Sequence, residues 1–342
     1  MDDRHWASTS TLEVRKAVQL GLRDLQRGSV VLVACSGGPD SLALAAAAAF
    51  VGRSLGLTVG AVVVDHQLQE SSHQVAHAAQ EACIAFDLDP VVIARVDVGS
   101  DGGPEAAART ARYEALNAVA VKMQAVAVLL GHTRDDQAET VLLRLARGSG
   151  TRSIAAMRPV AGLLRRPLLH LSRELVRASA KQECEALGLK AWEDPHNDEE
   201  RFARVRLRTA LDQLQSALGP GLATGLARSA ELAADDADAL DAWAQAAFVD
   251  LVVFSDDRLE IDILEFAQLP VAIRTRIIRR MCIDLGAVPE DVTRAQVLAV
   301  DALVDNWHGQ GAVSLPGRVS ARREYGRLVL ITVLDAGDPV AT

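Results

Sequence analysis

The sequence predicts an α/β domain built on a parallel sheet over residues 1–219, followed by a smaller α+β unit over residues 220–342. Three observations predict it. Short β-branched runs alternate with helical segments through the first 130 residues or so, the pattern of a parallel sheet covered by helices. A glycine-bearing turn, Ser36-Gly37-Gly38-Pro39-Asp40-Ser41, joins the first of those runs to an alanine-rich helix. Gly219-Pro220-Gly221 then breaks the helical pattern, and three closely spaced strand runs end the chain.

Thr9 to Arg27 carries apolar residues at helical spacing (Val14, Val18, Leu22, Leu25) behind a Ser/Thr cap. Strands are predicted at Ser29 to Cys35, Leu57 to Val64, Pro90 to Val96 and Ala125 to Leu130. The intervening helices are Ser41 to Gly56, Ser71 to Phe86 and Pro104 to Met123, so a Rossmann-like sheet with helices on both faces follows. Asp135 to Arg147 is a two-faced helix, with Ala138, Val141, Leu142 and Leu145 forming its apolar stripe. Ser172 to Leu187 and Arg201 to Leu218 are further helices, separated by the polar loop 193–200. Leu222 to Leu251 reads as a connecting helix. The C-terminal unit has a strand near Leu259 to Ile263, helices at Val271 to Leu285 and Thr293 to Val304, and strands at Gly311 to Leu315, Gly317 to Arg323 and Arg327 to Val333.

A hydrophobic share of 49% with 24% charged residues describes a globular chain with real cores, and no apolar stretch approaches the roughly 20 residues that span a bilayer. The N-terminus carries Asp2, Asp3 and Arg4 rather than a basic then apolar leader, so a cytoplasmic protein with no membrane partner is expected. Cys35, Cys83, Cys184 and Cys282 form no CxxC pair and no zinc spacing, which favours reduced, buried thiols. The net charge of -9 hides an uneven distribution: residues 141–228 hold 15 Lys+Arg against 9 Asp+Glu, and Val141 to Arg173 contains seven arginines and no acid. The basic run reads either as a solvated face or as a nucleic-acid contact.

The turn at 36–41 places unpaired backbone N–H groups and a helix N-terminus at one point, an arrangement that binds phosphate. It lacks the lysine and the length of a GxxxxGK[ST] loop. SGGPDS instead resembles the PP-loop signature of ATP pyrophosphatases, which split ATP into AMP and pyrophosphate. Gly37 and Gly38 permit close backbone approach, with Ser36 and Ser41 hydroxyls beside them. Asp40 would repel a triphosphate unless Mg²⁺ lay between them, so it is read as metal-linked; its alternative role is a helix N-cap. Val64-Asp65-His66, the segment Glu105 to Tyr113 and Gly131-His132-Thr133-Arg134-Asp135-Asp136-Gln137-Ala138-Glu139-Thr140 follow, and Ser36, Asp65 and His132 all fall just past strand C-termini, where parallel sheets bind ligands.

With these residues together, and with Arg166-Pro167-Leu168-Leu169 and Trp192-Glu193-Asp194-Pro195-His196-Asn197, the chain resembles the tRNA(Ile)-lysidine synthase family over about residues 28 to 332. The resemblance implies a PP-loop ATP pyrophosphatase domain and a small tRNA-binding domain. It implies ATP-dependent attachment of L-lysine to C2 of the wobble cytidine (position 34) of a CAU-anticodon tRNA(Ile), through an O2-adenylate, so that the tRNA reads AUA; it also allows a homodimer. It assigns Ser36, Gly37, Gly38, Pro39, Asp40 and Ser41 to the ATP phosphates, Asp65 to the nucleotide, Asp40 and Asp136 to Mg²⁺, and Arg112, His132 and Asp136 to catalysis and lysine handling. For His132 the alternative is a structural histidine, and for Asp136 a helix N-terminal acid. Glu139 with Arg144 reads as an exposed helix pair. The arginines from Arg144 to Arg208, with Arg318, Arg322, Arg323 and Arg327, are candidates for tRNA backbone contacts. Trp6, Trp192, Trp243 and Trp307 read as core, with Trp192 also a candidate stacking platform. Three positions depart from the family pattern: Gln67 and Gln69 stand where members commonly have Gly and Arg, and Val205 replaces the asparagine of RNxxR.

Two other readings compete with this one. A PP-loop tRNA thiolase also adenylates a nucleobase carbonyl, but typically needs cysteine pairs or an iron–sulfur cluster. A non-catalytic tRNA-binding relative has no reason to keep a phosphate loop and its metal acid together.

Overall fold

The computed structural model describes residues 7–67, 72–99, 103–148, 150–193, 203–255 and 257–333. Gln69, Trp6, residues 194–202 (with Asp194-Pro195-His196-Asn197) and the side chains of Glu105 and Arg204 lie outside the described residues. Residues 1–234 and 235–342 form two compact units.

The first unit runs α1 (Thr9–Leu22), β1 (Val30–Cys35), α2 (Pro39–Leu55), β2 (Thr58–Asp65), α3 (Ser72–Ala85), β3 (Val91–Arg95), α4 (Pro104–Lys122), β4 (Ala127–Leu129), α5 (Arg134–Ala146), α6 (Thr151–Ile154), β5 (Val160–Ala161), β6 (Leu164–Arg165), α7 (Arg173–Ala186) and α8 (Ala203–Leu218). Its sheet has the order β3-β2-β1-β4-β6-β5, parallel throughout except for β5. The period-2 pleat sends alternate residues of one strand into different layers. Val31, Val33 and Cys35 of β1 join the core formed with α1, α2, α3 and α7, whereas Leu32 and Ala34 join Leu116 and Ala120 of α4. The expected two-faced sheet is therefore present.

Several boundaries differ from the expectation. α1 stops at Leu22 rather than Arg27, though Leu25 still packs on the core. α2 begins at Pro39, not Ser41, because proline's fixed φ suits the first helical position. The hairpin β5–β6 was not anticipated, being only two residues per strand. On α5 the buried set is Gln137, Ala138, Glu139 and Val141, while Leu145 of the expected stripe is exposed.

α9 (Leu222–Leu251) contains the point where the units divide, beyond the turn at 219–221. The second unit continues with β7 (Val253–Ser255), β8 (Arg258–Asp262), α10 (Ile263–Phe266), α11 (Val271–Asp284), α12 (Arg294–Asp305), β9 (Val313–Leu315), β10 (Val319–Glu324) and β11 (Arg327–Thr332). Its antiparallel sheet has the order β7-β8-β11-β10-β9. Ile273, Ile277 and Met281 of α11 and Val300 and Leu303 of α12 share one core with Leu259, Ile261, Leu328 and Leu330 of the sheet. Arg274, only 5% exposed, ties the two helices together through Asp301 (2.7 and 2.9 Å) and Asp305 (3.0 Å). β7 was not expected; its residues are all exposed and carry no period-2 burial signal.

The cysteines Cys35, Cys83, Cys184 and Cys282 are free and buried. No helix among the described residues is long and apolar enough to cross a membrane. Trp243 and Trp307 are 49% and 41% exposed, which corrects their assignment to the core; Trp307 lies under the Arg323 guanidinium at 5.5 Å.

Candidate active site

The C-terminal ends of β1, β2 and β4 open into a cleft of about 580 Å³. Ser36, Gly38, Pro39, Asp40 and Ser41 line it from the turn after β1, Asp65 and His66 from the end of β2, Arg112 from α4, and His132 and Asp136 from the β4–α5 junction. The predicted site residues thus converge, with Gly37 just behind the lining.

The turn is held open by its own hydrogen bonds. Gly38 is the N-cap of α2 and contributes no side-chain cap; since Pro39 has no N–H, the free donors of this end are the amides of Asp40 and Ser41, residues that line the cleft. Asp40 therefore lies in the first helical turn and is not the N-cap. The Ser41 hydroxyl donates to the Gly38 carbonyl (2.9 Å) and accepts from Ser36 N–H (3.2 Å), so this buried serine braces the loop. Ser36, by contrast, is exposed at the mouth. Gly37 has φ +82, a region closed to most side chains, and its carbonyl accepts from Trp192 N–H at 2.9 Å. Gly131 is fixed for another reason: a Cβ there would stand 3.1 Å from the Asp40 carbonyl oxygen.

Asp40 is the electrostatic anomaly of the cleft. Burial pushes its pKa up to about 6, with the nearby Asp136 adding to the rise and Arg177 opposing it. Its Oδ1 is buried without a hydrogen bond, and Arg177 Nε of α7 approaches only to 3.7 Å. A buried carboxylate oxygen with no donor, facing a second carboxylate and a bare helix N-terminus, suits a Mg²⁺ that completes its shell with phosphate and water. No group of three or more acidic, His or Cys side chains able to hold a metal occurs among the described residues.

Asp136 is more heavily engaged. Its Oδ2 accepts from Thr133 N–H (2.7 Å) and the Thr133 hydroxyl (2.8 Å), closing a capping box, and its Oδ1 accepts from Arg173 (2.8 Å). Burial opposes its ionisation, but Arg173 and the Thr133 bonds outweigh burial and hold its pKa below the ordinary carboxylate value. His132 is driven the other way: burial lowers its pKa to about 3 against the pull of Asp136, with Arg166, Arg112 and Arg109 adding to the fall, and its Nδ1 is buried without a partner. It is a neutral imidazole at physiological pH. Asp65, 4% exposed, accepts from Gln67 N–H at 3.0 Å. Gln67 holds φ +55, a conformation that costs a side-chain-bearing residue roughly 1 kcal/mol.

Glu139 corrects the sequence reading. It is buried at 3% exposure and accepts from Arg173 (2.9 Å) and Arg208 of α8 (2.9 Å), while Arg144 donates instead to the Ser153 carbonyl. Arg173, Arg177 and Arg208 all line the cleft, as does Trp192. The sequence marked these arginines only as members of a basic run. Ser172 as an N-cap was the one local sign that Arg173 opens a helix beside the site. Other members of the run are also internal: Arg165 pairs with Asp24 (2.5 and 2.8 Å), and Arg166, 7% exposed, donates to the Arg158 carbonyl. In the second unit Arg322 pairs with Glu324 and Arg327 with Glu260 across the sheet.

Comparison with known proteins agrees with this arrangement. A PP-loop domain model matches residues 10–215 and a TilS substrate binding domain model matches residues 262–329. The chain is 50% identical to a tRNA(Ile)-lysidine synthase of Thermobifida fusca (strain YX), over 93% of this chain and 96% of that protein. It is 49% identical to the synthase of Salinispora tropica, over 96% and 97% respectively. Among solved structures, the U34-tRNA thiolase NcsA of Methanococcus maripaludis, described with its [4Fe-4S] cluster, superposes with a TM-score of 0.55 at 19% identity, covering 66% of this chain and 79% of that one. That likeness shows a shared fold. Matched along nearly its whole length at about half identity, this chain belongs to the tRNA(Ile)-lysidine synthase family, ligases built on the PP-loop ATP pyrophosphatase domain.

Proposed function

We propose that the chain uses ATP to join L-lysine to C2 of the wobble cytidine of CAU-anticodon tRNA(Ile), through an O2-adenylate, with release of pyrophosphate and then AMP. The observation that carries the reading is the convergence of the bare α2 N-terminus, Asp40, His132, Arg112 and Asp136 on one cleft. Cytosine C2–O resists direct displacement, whereas an O-adenylate is a stable leaving group.

The residues divide the work by charge state. The first-turn N–H groups of α2 and the exposed Ser36 hydroxyl hold phosphate oxygens, and Ser41 keeps the turn in shape. A bound Mg²⁺ would rest on Asp40, with Asp136 as second carboxylate, and would neutralise phosphate charge there. Arg112 lowers the pKa values of both His66 and His132, so its charge is directed into this side of the cleft, beside an adenylate phosphate. His132, being neutral, hydrogen-bonds that group without adding charge. The incoming lysine must attack as a free amine, from a solution pKa near ~10.4, and the Asp136 carboxylate on the cleft lining would receive its ammonium form on arrival. Asp65 sits beside the nucleotide.

The exposed Arg147 and Arg152, together with basic residues of the small domain, supply the tRNA backbone contacts in this reading. The protein acts in the cytoplasm, where ATP and tRNA are found, and we carry a homodimer as the assembly to be tested by sedimentation. The deciding experiment incubates protein, ATP, Mg²⁺ and labelled lysine with a CAU-anticodon tRNA(Ile) transcript. Label entering RNA only with ATP supports the synthase. No incorporation by folded protein overturns it, and incorporation of sulfur in its place would favour the thiolase.

A further inference from the structure

We infer that Arg177 is the cation that binds the pyrophosphate half of ATP, taking the place of the lysine that this phosphate turn lacks. The inference rests on the proposed function and deepens it. A GxxxxGK[ST] loop carries its own phosphate-binding lysine; SGGPDS has none, so the positive charge must come from another element.

The cleft contains four arginines among the described residues, and their commitments differ. Arg173 is fixed between Asp136 (2.8 Å) and Glu139 (2.9 Å), with burial opposing its charge and those acids raising its pKa. Arg208 is held by Glu139 at 2.9 Å. Arg112 acts on the histidine side. Arg177 lies one helical turn beyond Arg173 on α7, which puts the two on the same face. Its Nε stands 3.7 Å from Asp40 Oδ1, and its side chain is 51% exposed. That contact is too long for a hydrogen bond, and an ion pair so exposed contributes roughly 0–1 kcal/mol.

Arg177 is therefore a cation beside the phosphate turn and loosely held. Its partner Asp40 is the residue assigned to Mg²⁺. A divalent ion at Asp40 repels the guanidinium from that carboxylate and leaves its fork for the phosphate oxygens, which it matches in shape. The free state thus stores Arg177 on the acid that it yields when the nucleotide arrives.

Calorimetric titration of the full-length protein with inorganic pyrophosphate in Mg²⁺, and separately with AMP, tests this assignment. One charge-assisted contact removed in Arg177→Ala should weaken pyrophosphate binding by about tenfold to a hundredfold, with AMP affinity held within about twofold. Arg177→Lys should recover part of the loss. An unchanged melting temperature is expected for both variants, since the side chain is half exposed. Pyrophosphate binding by Arg177→Ala within about twofold of the unsubstituted protein, or an equal loss for AMP, overturns the assignment while leaving the enzyme reading intact. A protein that binds neither pyrophosphate nor ATP overturns both.

Discussion

Glu139→Gln tests the arrangement on which the cleft rests. Glu139 accepts two charge-assisted hydrogen bonds, from Arg173 and Arg208, at 3% exposure. Glutamine keeps the shape and one acceptor oxygen but removes the charge. A bond to an ionised partner contributes about 1.5–3 kcal/mol against about 1 for a neutral one, so two bonds lose roughly 1–4 kcal/mol. Arg173 keeps Asp136, which moderates the loss, while Arg208 pairs with no second acid among the described residues. We expect about 2–3 kcal/mol, or a fall in melting temperature of roughly 4–12 °C for a unit of this size. Because the same bonds hold the cleft wall, lysine incorporation should fall with it. Calorimetric melting of Glu139→Gln, Arg208→Ala and the double variant gives the coupling directly: at least about 1 kcal/mol for Glu139 with Arg208, and under about 0.5 for Glu139 with Arg144. A coupling to Arg144 as large as that to Arg208, or a melting change below about 2 °C, refutes the buried network.

Asp40→Asn should stabilise the metal-free protein and abolish AMP formation. The folded pKa, about 6, lies above the ordinary 3.8, so this carboxyl's contribution to stability is fully present below pH 3.8 and is lost as pH rises through 6. At about 1.4 kcal/mol per unit the ceiling is near 3 kcal/mol, with the weak Arg177 attraction already contained in the shift, and solvent screening of the partly exposed carboxyl reduces it to roughly 1–2 kcal/mol. Melting temperatures at pH 8 without Mg²⁺ should be higher for the variant and converge toward pH 4; a lower value at pH 8 contradicts the placement. Gly37→Ala meets φ +82 and an Ala79 Cβ at 3.2 Å, so about 1–3 kcal/mol of stability and most ATP affinity should be lost, as read by melting and nucleotide titration. For tRNA, retention on a filter should weaken by roughly tenfold or more between low and physiological salt; a flat response removes the phosphate contacts.

The sheet was legible because each strand carries a β-branched run between helical segments, and the phosphate turn because glycine, serine and aspartate there have few other uses together. Even the division of labour between Ser36 at the surface and Ser41 within the loop follows once α2 begins at Pro39. Glu139 was not legible. Its helix shows only that it borders the apolar stripe, and what buries it are α7 and α8, whose approach no local pattern encodes. Gln67 is the opposite case: the departure from glycine was visible, but its backbone conformation was not, and φ +55 puts a side-chain-bearing residue in the left-handed region. The basic run misled in part, because arginines at 165, 166 and 173 serve internal carbonyls and acids, so their count overstated the charge facing solvent.

The cleft's selectivity can be argued from which of its charges are already matched. Asp136 is engaged by Arg173 and Thr133, Glu139 by Arg173 and Arg208, and His132 is neutral. These groups chiefly fix geometry, though the Asp136 charge still adds to the rise of the Asp40 pKa. The imbalance rests on Asp40, ionised with difficulty and short of donors, and on Arg177, charged and loosely held. A bare phosphate is repelled by the first, and a bare cation is opposed by the second. On the proposed assignment a metal–phosphate pair would satisfy both at once, the cation resting on Asp40 and the anion on Arg177 with the α2 N–H groups. Such a site would respond to metal and nucleotide together more than to either alone.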